Sequence, residues 1–523
     1  MQDSSTTLSH SAPAPVAPRL RVGKLCIAIQ APSPAELVER AEAALADSKF
    51  IELRLDSLSK PALALPQIKE FLAAHRDATA IATCRPKEHG GSFTGSMKAE
   101  LEILTAAAEA GCRIVDLEVE SAEEVSVRQF EQFRDALRAS GTSLLVSFHD
   151  FARTKHLEQA AQRIEAFKPE FLKVVSTARS LADNMAVLNL IADRSRSAEV
   201  IGICMGEEGL ASRVLGLRAG AAFTFASASS DAETAPGQLT VRALRDLYRV
   251  EQLDQATRLY GVAGNPIAHS LSPLMQNTAF RREGVNAVLM PLKTQKVADL
   301  LTLIRELPLA GVAVTMPLKE EVLAHLATSD PLTAKIGACN TLRVGADGNI
   351  IGFNTDVAGV VRPLEKRLKL KGARIAVLGA GGAARAAVFG LVDQGAEVFI
   401  VNRTHENAVK LARESKAKAL KRELFAKAKF DVLINSTPCG MAGNKQQMPI
   451  AESELNAALV FDMVYNPMET PLLKLAKSRG IPVVTGLEMF VQQGARQFEI
   501  WTGKPAPQTE MLRVVELELR RRG

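Results

Sequence analysis

The chain has 523 residues, 47% hydrophobic and 23% charged, with a formal net charge of +6. This length suggests roughly three domains with ample core. The charge is small for the length and no long basic block occurs, which argues against nucleic acid, while anionic small molecules remain compatible.

No apolar run approaches a membrane span. The six cysteines stand at 26, 84, 112, 204, 339 and 439, with no CxxC pair. That argues against zinc ribbons and dithiol redox motifs and makes a reducing cytoplasm the expected home. A plastid is the alternative if a targeting segment has been removed. Residues 1–20 are rich in Ser, Thr, Pro and Ala and lack the apolar core of a signal peptide, so they read as a disordered tail. Nothing here sets the oligomeric state.

From residue 21 to about 250 the chain alternates short apolar strands with amphipathic stretches. The strands read KLCIAIQ (24–30), FIELRLD (50–56), AIATCR (80–85), RIVDLEV (113–119), SLLVSFHD (143–150), FLKVV (171–175), EVIGICM (199–205) and AAFTFAS (221–227). Eight β/α units of this size predict a (β/α)8 TIM barrel; an open doubly wound sheet is the alternative. Polar residues interrupt the strands at Glu52, Arg54, Arg85, His149 and Lys173. A lysine inside an apolar parallel strand points into the barrel or snorkels to water at its end. In the first case, burial and nearby guanidinium groups would lower its pKa from about 10.4, giving the neutral amine that imine chemistry needs.

Ser147-Phe-His149-Asp150-Phe151, FLKVV, Met205-Gly206-xx-Gly209-xx-Ser212-Arg213 and Ala235-Pro236-Gly237-Gln238 together resemble type I 3-dehydroquinate dehydratase. The resemblance implies that Lys173 forms a Schiff base with a substrate ketone and that His149 is the general acid and base. It implies Arg213 on the substrate carboxylate, and Glu52, Arg54, Arg85, Thr234 and Gln238 on hydroxyls and carboxylate. No metal is implied, in keeping with the lack of a ligand cluster in the sequence. Two departures stand out. The family has Glu directly before the Gly-Gly that follows the third-strand Arg, whereas here His89 takes that place and Glu88 lies one residue early. The orienting partner of His149 is therefore open. Thr234 replaces the usual Ser and keeps its hydroxyl.

Residues Thr240–Ala256 read as one helix closing this region, followed without a linker by the strand RLYGVAG. Ser270 and Ser272 then precede a helix near Pro273, either as caps or as a carboxylate site. GVAVTMPLKE (311–320) reads as a strand entering a helix with Lys319 at its start, where the helix dipole disfavours a cation. Asn340 and Asp356 follow in GACNT and GFNTD.

RIAVLGAGGAAR is a strand, a Gly-rich turn and a helix start, spaced Gly379-x-Gly381-x-x-Ala384. Such a turn brings a pyrophosphate to free helix N–H groups, or is merely tight. The next strand ends Asn402-Arg403-Thr404, without the acid that grips a ribose 2′-hydroxyl. An Arg there pairs with a 2′-phosphate, so NADP(H) is expected over NAD; a solvated loop Arg is the other reading.

These motifs, with NSTPCGM, FDMVYNP and TGLEMFVQQGARQFEIWTG, resemble shikimate dehydrogenase. The resemblance implies Lys319 and Asp356 as the catalytic pair, and Ser270, Ser272 and Tyr465 on the substrate carboxylate. It implies Thr315, Asn340 and Gln493 on ring hydroxyls. Gly379, Ala380, Gly381, Gly382, Ala383, Asn402, Arg403, Thr404, Met463 and Gly486 would line the cofactor. The expected domains are a barrel over 21–250, an α/β substrate domain over 258–358 and a Rossmann NADP-binding domain over 359–485, with helices in 486–523 returning to the substrate domain. The pairing is similar to the plant-type fusion of the two families and implies two consecutive steps. 3-Dehydroquinate would go to 3-dehydroshikimate, and that to shikimate, with these small molecules as the partners. The alternatives are a quinate dehydrogenase, a metabolite-binding regulator without turnover, and a Schiff-base aldolase joined to an unrelated reductase.

Overall fold

The computed structural model describes residues 20–522. The tail expected over residues 1–20 lies, apart from Leu20, outside them. The chain forms two compact units. The first holds the residues up to His149 with Glu158–Lys173 and Arg194–Ile201. The second holds Asp150–Leu157, Val174–Asp193 and the chain from Gly202 onward.

The eight expected strands are present. They are β1 (Leu25–Ile29), β2 (Phe50–Arg54), β3 (Thr79–Thr83), β4 (Ile114–Glu118), β5 (Ser143–His149), β6 (Phe171–Thr177), β7 (Glu199–Met205) and β8 (Thr224–Ala226). Their order is β7-β6-β5-β4-β3-β2-β1-β8. Consecutive strands are neighbours and β8 lies beside β1, the order of a (β/α)8 barrel, whereas a doubly wound sheet places β1 centrally. The β1 to β5 pairings are parallel. β1, β2 and β4 are buried throughout, as parallel strands covered on both faces must be.

The stretch Thr240–Ala256 is not one helix. A π-helical turn covers Ala243–Leu247, Arg249 turns left-handed at φ 52°, and a 3-10 turn covers Val250–Gln252. Val241, Leu244 and Tyr248 share a helical face and are buried. Val250 is buried too, and its spacing cannot place it on that face, so the chain breaks at Arg249.

Two further sheets lie in the second unit. One contains β9 (Arg258–Gly264), β10 (Ala287–Lys293), β11 (Leu309–Val314), β12 (Thr328–Ser329), β13 (Thr341–Val344) and β14 (Ile350–Phe353), in the order β10-β9-β11-β13-β14-β12. It is mixed: β9, β10 and β11 run parallel, while β13 is antiparallel to both neighbours. The other contains β15 (Arg374–Leu378), β16 (Glu397–Val401), β17 (Lys418–Ala419), β18 (Phe430–Asn435), β19 (Ala457–Asp462) and β20 (Val483–Val484). Its order, β17-β16-β15-β18-β19-β20, with every pair parallel, is the doubly wound dinucleotide fold, whose switch point lies between β15 and β18.

The helices Gly486–Thr502 and Gln508–Arg522 pack against the helix Ser272–Arg282 and share a core with β9. Tyr260 of β9 lies between Phe280 and Trp501, with ring centroids 5.2 and 5.0 Å away. Trp501 Nε1 donates to the Leu342 carbonyl at 2.9 Å, over Gly311. A Cβ at 311 would stand 2.4 Å from that nitrogen and 2.7 Å from the carbonyl oxygen. Gly311→Ala is therefore expected to destabilise the second unit by about 1–3 kcal/mol. The fluorescence of Trp501, the single tryptophan of the chain, reads this directly. An unchanged urea midpoint would refute the packing described.

Candidate active sites

In the first unit the strand period of two gathers polar side chains on one face. Glu52 and Arg54 of β2 share it, as do Asp116 and Glu118 of β4, and Ser147 and His149 of β5. Register places Arg54 beside Thr83, Thr83 beside Asp116, and Glu118 beside Ser147. The alternate residues, such as Leu53, Val115, Leu117 and Val146, are buried and apolar.

Asp116 is the centre of this cluster. Its Oδ2 accepts from Lys173 Nζ at 2.8 Å and from Arg85 Nη2 at 2.9 Å, and its Oδ1 accepts from Ser147 Oγ at 2.5 Å. Glu52 Oε1 accepts from Thr83 at 2.7 Å and lies 3.9 Å from Lys173 Nζ. Lys173 is buried and points into the cluster, not to water. The groups found against it are carboxylates, with Arg85 sharing one of their oxygens, whereas guanidinium groups were expected. Burial by itself would raise the Asp116 pKa, but Lys173 and Arg85 outweigh it and hold the carboxyl well below the usual range.

His149 Nδ1 faces Glu118 at 2.9 and 3.1 Å, and its Nε2 faces Arg85 Nη1 at 2.9 Å. Arginine can only donate, so Nε2 carries the lone pair and Nδ1 the proton. Burial, with the cations Arg85 and Lys173, pushes the imidazole pKa well below its ordinary value, so the ring is neutral at pH 7. Burial pushes the Glu118 carboxyl upward, against Arg85. The acid in contact with His149 is thus Glu118. Glu88 is exposed and His89 half-buried in the turn Lys87–His89. That turn folds back on Arg85 instead: Phe93 N–H donates to the Arg85 carbonyl at 3.1 Å, and a Cβ at Gly91 would stand 2.0 Å from the same oxygen. Arg54 is forked onto Asp56 at 2.9 and 2.8 Å. Asp56, Asp116 and Glu118 were missed from sequence. The available signal was RIVDLEV, a buried strand with acids at i and i+2.

In the second unit, Arg213 is fully buried, and burial lowers its pKa to about 10. Its Nη2 donates to the Pro236 carbonyl at 3.2 Å, and its Nε has no hydrogen-bond partner among the described residues. Thr234 donates through N–H and Oγ1 to Gln238 Oε1 at 2.8 and 3.1 Å, closing a small loop.

A cleft of about 420 Å³ lies between the second and third sheets. Ser270, Ser272, Thr315, Lys319, Asn340, Asp356, Tyr465 and Gln493 line it, with Ala383, Met463 and Gly486. Lys319 Nζ donates to Asp356 Oδ2 at 2.7 Å, and Asn340 Nδ2 donates to the other oxygen at 2.9 Å. Asn340 Oδ1 accepts from Thr341 Oγ1 and Thr355 N–H, both at 2.8 Å, so this amide is held in one orientation. No helix begins at Lys319. Turns lead to a 3-10 helix over Glu321–His325, where Leu323 N–H donates to the Glu320 carbonyl at 3.2 Å, and the Lys319 carbonyl accepts from Cys339 N–H at 2.7 Å. The dipole argument therefore does not apply there. Ser270 Oγ accepts weakly from Ser272 N–H at 3.3 Å, while the residue capping the helix Ser272–Arg282 is Leu271, whose side chain makes no cap. Tyr465 stacks on Phe490, centroids 5.1 Å apart, and burial raises its hydroxyl pKa. Gln497, missed from sequence, also lines the cleft and donates to Thr341 Oγ1 at 3.1 Å. It lies one helical turn beyond Gln493, the spacing that could have revealed it.

At the end of β15, Gly379 has φ 113°, and a Cβ there would meet Ser436 Oγ at 2.6 Å. A Cβ at Gly381 or Gly382 would meet nothing within 4 Å, leaving room above the start of the helix Gly382–Asp393. That helix has no side-chain cap, so its first N–H groups are open to an anion. β16 runs parallel to β15 and delivers Asn402, Arg403 and Thr404 at the same edge, with Arg403 exposed. These residues fit a phosphorylated dinucleotide.

Residues 25–255 match the family type I 3-dehydroquinase. Residues 262–342 match the shikimate dehydrogenase substrate binding domain, 363–464 shikimate / quinate 5-dehydrogenase, and 486–516 the shikimate 5′-dehydrogenase C-terminal domain. The chain is 34% identical over 506 residues to the chloroplastic bifunctional 3-dehydroquinate dehydratase/shikimate dehydrogenase of Arabidopsis thaliana, covering 92% of this chain and 82% of that one. It is 40% identical over 254 residues to the NADP(+) shikimate dehydrogenase of Maridesulfovibrio salexigens, covering 47% of this chain and 92% of that one. The shikimate 5-dehydrogenase of Thermus thermophilus, solved with NADP(H) and shikimate, matches 51% of this chain and 99% of its own at 36% identity and a TM-score of 0.46. With two ordered clusters and a relative that aligns with 92% of this chain and is itself covered to 82%, the chain belongs to the bifunctional 3-dehydroquinate dehydratase/shikimate dehydrogenase family.

Proposed function

We propose that the first half converts 3-dehydroquinate to 3-dehydroshikimate and the second reduces that ketone to shikimate. The observation that carries this reading is a buried lysine and a neutral, oriented histidine tied into one set of carboxylates. Lys173 Nζ condenses with the ketone and releases water, forming an imine. His149 Nε2 takes the C2 proton, and the electrons move into the imine to give an enamine. Collapse of the enamine expels the C1 hydroxyl, which leaves as water with the proton that His149 returns, and hydrolysis of the imine frees Lys173. Arg213 takes the carboxylate, while Glu52, Arg54, Arg85, Thr234 and Gln238 hold the hydroxyls and carboxylate.

In the second half, NADPH when bound supplies the hydride. Lys319 gives the proton that turns the ketone oxygen into a hydroxyl, and Asp356 holds Lys319 and the substrate. Ser270, Ser272 and Tyr465 receive the carboxylate, and Thr315, Asn340 and Gln493 the ring hydroxyls. The Gly379–Ala383 turn, Asn402–Thr404, Met463 and Gly486 hold the cofactor, with Arg403 on its 2′-phosphate. The domains proposed are 21–250, 258–358 with 486–523, and 359–485. All six cysteines are free, which supports a reducing compartment, the cytoplasm or a plastid.

A coupled assay tests the whole reading: 3-dehydroquinate and NADPH should yield shikimate. Lys173→Ala should stop that flux and abolish borohydride trapping of substrate, yet leave NADP-linked shikimate oxidation intact; trapping that survives overturns the Schiff-base role. Because burial and two cations depress the His149 pKa, the base stays unprotonated to below pH 6.5, and the acid limb of dehydratase kcat should lie under that value. Glu118→Ala removes the acceptor that orients the ring and should lower kcat about 10–100-fold; a twofold change would remove Glu118 from this role. Arg403→Ala should weaken NADP by about tenfold or more, from a charge-assisted contact of about 1.5–3 kcal/mol, and leave NAD nearly unchanged. Equal losses for both would end that assignment.

A further inference from the structure

Lys293 ends β10, in the dehydrogenase half. Its Nζ lies 2.8 Å from Glu207 Oε2 and 3.0 Å from Glu208 Oε1. Both acids belong to the 3-10 turn Glu207–Gly209 that directly follows β7 in the dehydratase half. β10 also packs on the next helix, Leu210–Ala219. Two adjacent carboxylates repel each other, and one ammonium between them relieves that repulsion while pinning the outer side of the turn.

The inner side of the turn is pinned by neutral hydrogen bonds. Asn184 Nδ2 donates to the Glu208 carbonyl at 2.7 Å, and Asn184 Oδ1 accepts from Ser212 N–H at 2.9 Å. Ser212 Oγ donates to the Gly209 carbonyl at 2.8 Å. The residue after Ser212 is Arg213. What the turn supports is the Thr234–Gln238 loop: Gly206 N–H donates to the Pro236 carbonyl at 3.0 Å, the oxygen that also accepts from Arg213. The two segments touch so closely that a Cβ at Gly237 would stand 2.6 Å from the Gly206 carbonyl oxygen. A shift of the turn therefore moves Pro236, Arg213 and the loop together.

We propose that Lys293 is a positioning residue for the dehydratase reaction, acting from the dehydrogenase half by holding the turn that seats Arg213 and the Thr234–Gln238 loop. This rests on the dehydratase reading above. The dehydrogenase chemistry does not use Lys293, which lies outside its cleft.

Lys293→Met in the full chain should raise the KM for 3-dehydroquinate about fivefold, the factor set by an ion pair of about 1 kcal/mol. Dehydratase kcat and the KM for shikimate should stay within about twofold. Lys293→Arg should restore the KM, and high salt should raise the wild-type KM toward that of the Met variant. Backbone amides in residues 204–209 and 234–238 should exchange with deuterium faster in the Met variant. An unchanged KM for 3-dehydroquinate, or an equal rise in the KM for shikimate, overturns the proposal. If the wild type fails to dehydrate 3-dehydroquinate, the functional reading falls instead, and amide exchange alone then decides: unchanged exchange overturns the positioning role.

Discussion

Asp116 is the acceptor on which the first site depends. It is wholly buried and takes hydrogen bonds from Lys173, Arg85 and Ser147. A carboxylate moved out of water costs several kcal/mol unless it is paired and hydrogen-bonded. Here each partner also needs Asp116, because Lys173 and Arg85 are themselves buried cations. Removing the carboxylate would leave Lys173 with Glu52 at 3.9 Å and Arg85 with Glu118 at 3.2 Å, and take from each its shortest ion pair. The linkage follows in sign. The folded-state pKa lies below the unfolded value of about 3.9, so the stability it contributes is present above that value and is lost as pH falls through the folded pKa.

The same cluster separates two proton carriers that touch. Burial raises the Glu118 carboxyl, and burial with two cations lowers the His149 imidazole. Glu118 holds the ring by Nδ1 and Arg85 covers Nε2, so the imidazole is fixed in one tautomer. A group so held needs little reorganisation at the moment of proton transfer. In the second unit the ordering device is lighter. Asn340 is locked by Thr341 and Thr355, Asp356 is aimed by Asn340, and Lys319 is aimed by Asp356. Lys319 and Asp356 keep side-chain exposures of 28% and 13%, so both present their charged ends to the cleft.

Much of this was legible beforehand because strand and helix periods are local. The eight apolar runs became the eight strands, and the Gly379 spacing became the turn before the helix Gly382–Asp393, since only Gly tolerates φ 113° at that point. For Lys173 the pattern left two directions open, into the barrel or out to water, and packing decided for the first. The failures were of another kind. Glu88 and His89 drew attention by their place in a motif, whereas the acid that reaches His149 comes from β4, thirty-one residues before it in the chain. Lys319 read as a helix start, whereas turns and a 3-10 helix follow it and its carbonyl is bonded by Cys339, twenty residues on. Thr240–Ala256 read as one helix because its charges mask the demand to bury Val250.

Strand period and glycine spacing pointed to eight β/α units followed by a dinucleotide turn, since each depends on residues close along the chain, and it was the resemblance of the motifs to two families that singled out the lysines and the histidine. The partners of those groups were decided by register and packing: Asp116 under Lys173, Glu118 on His149, Asn340 on Asp356, Lys293 across Glu207 and Glu208. Hydrogen bonds and ion pairs act over about 3 Å in space, and chain position carries no measure of that distance until neighbouring strands and helices have set it.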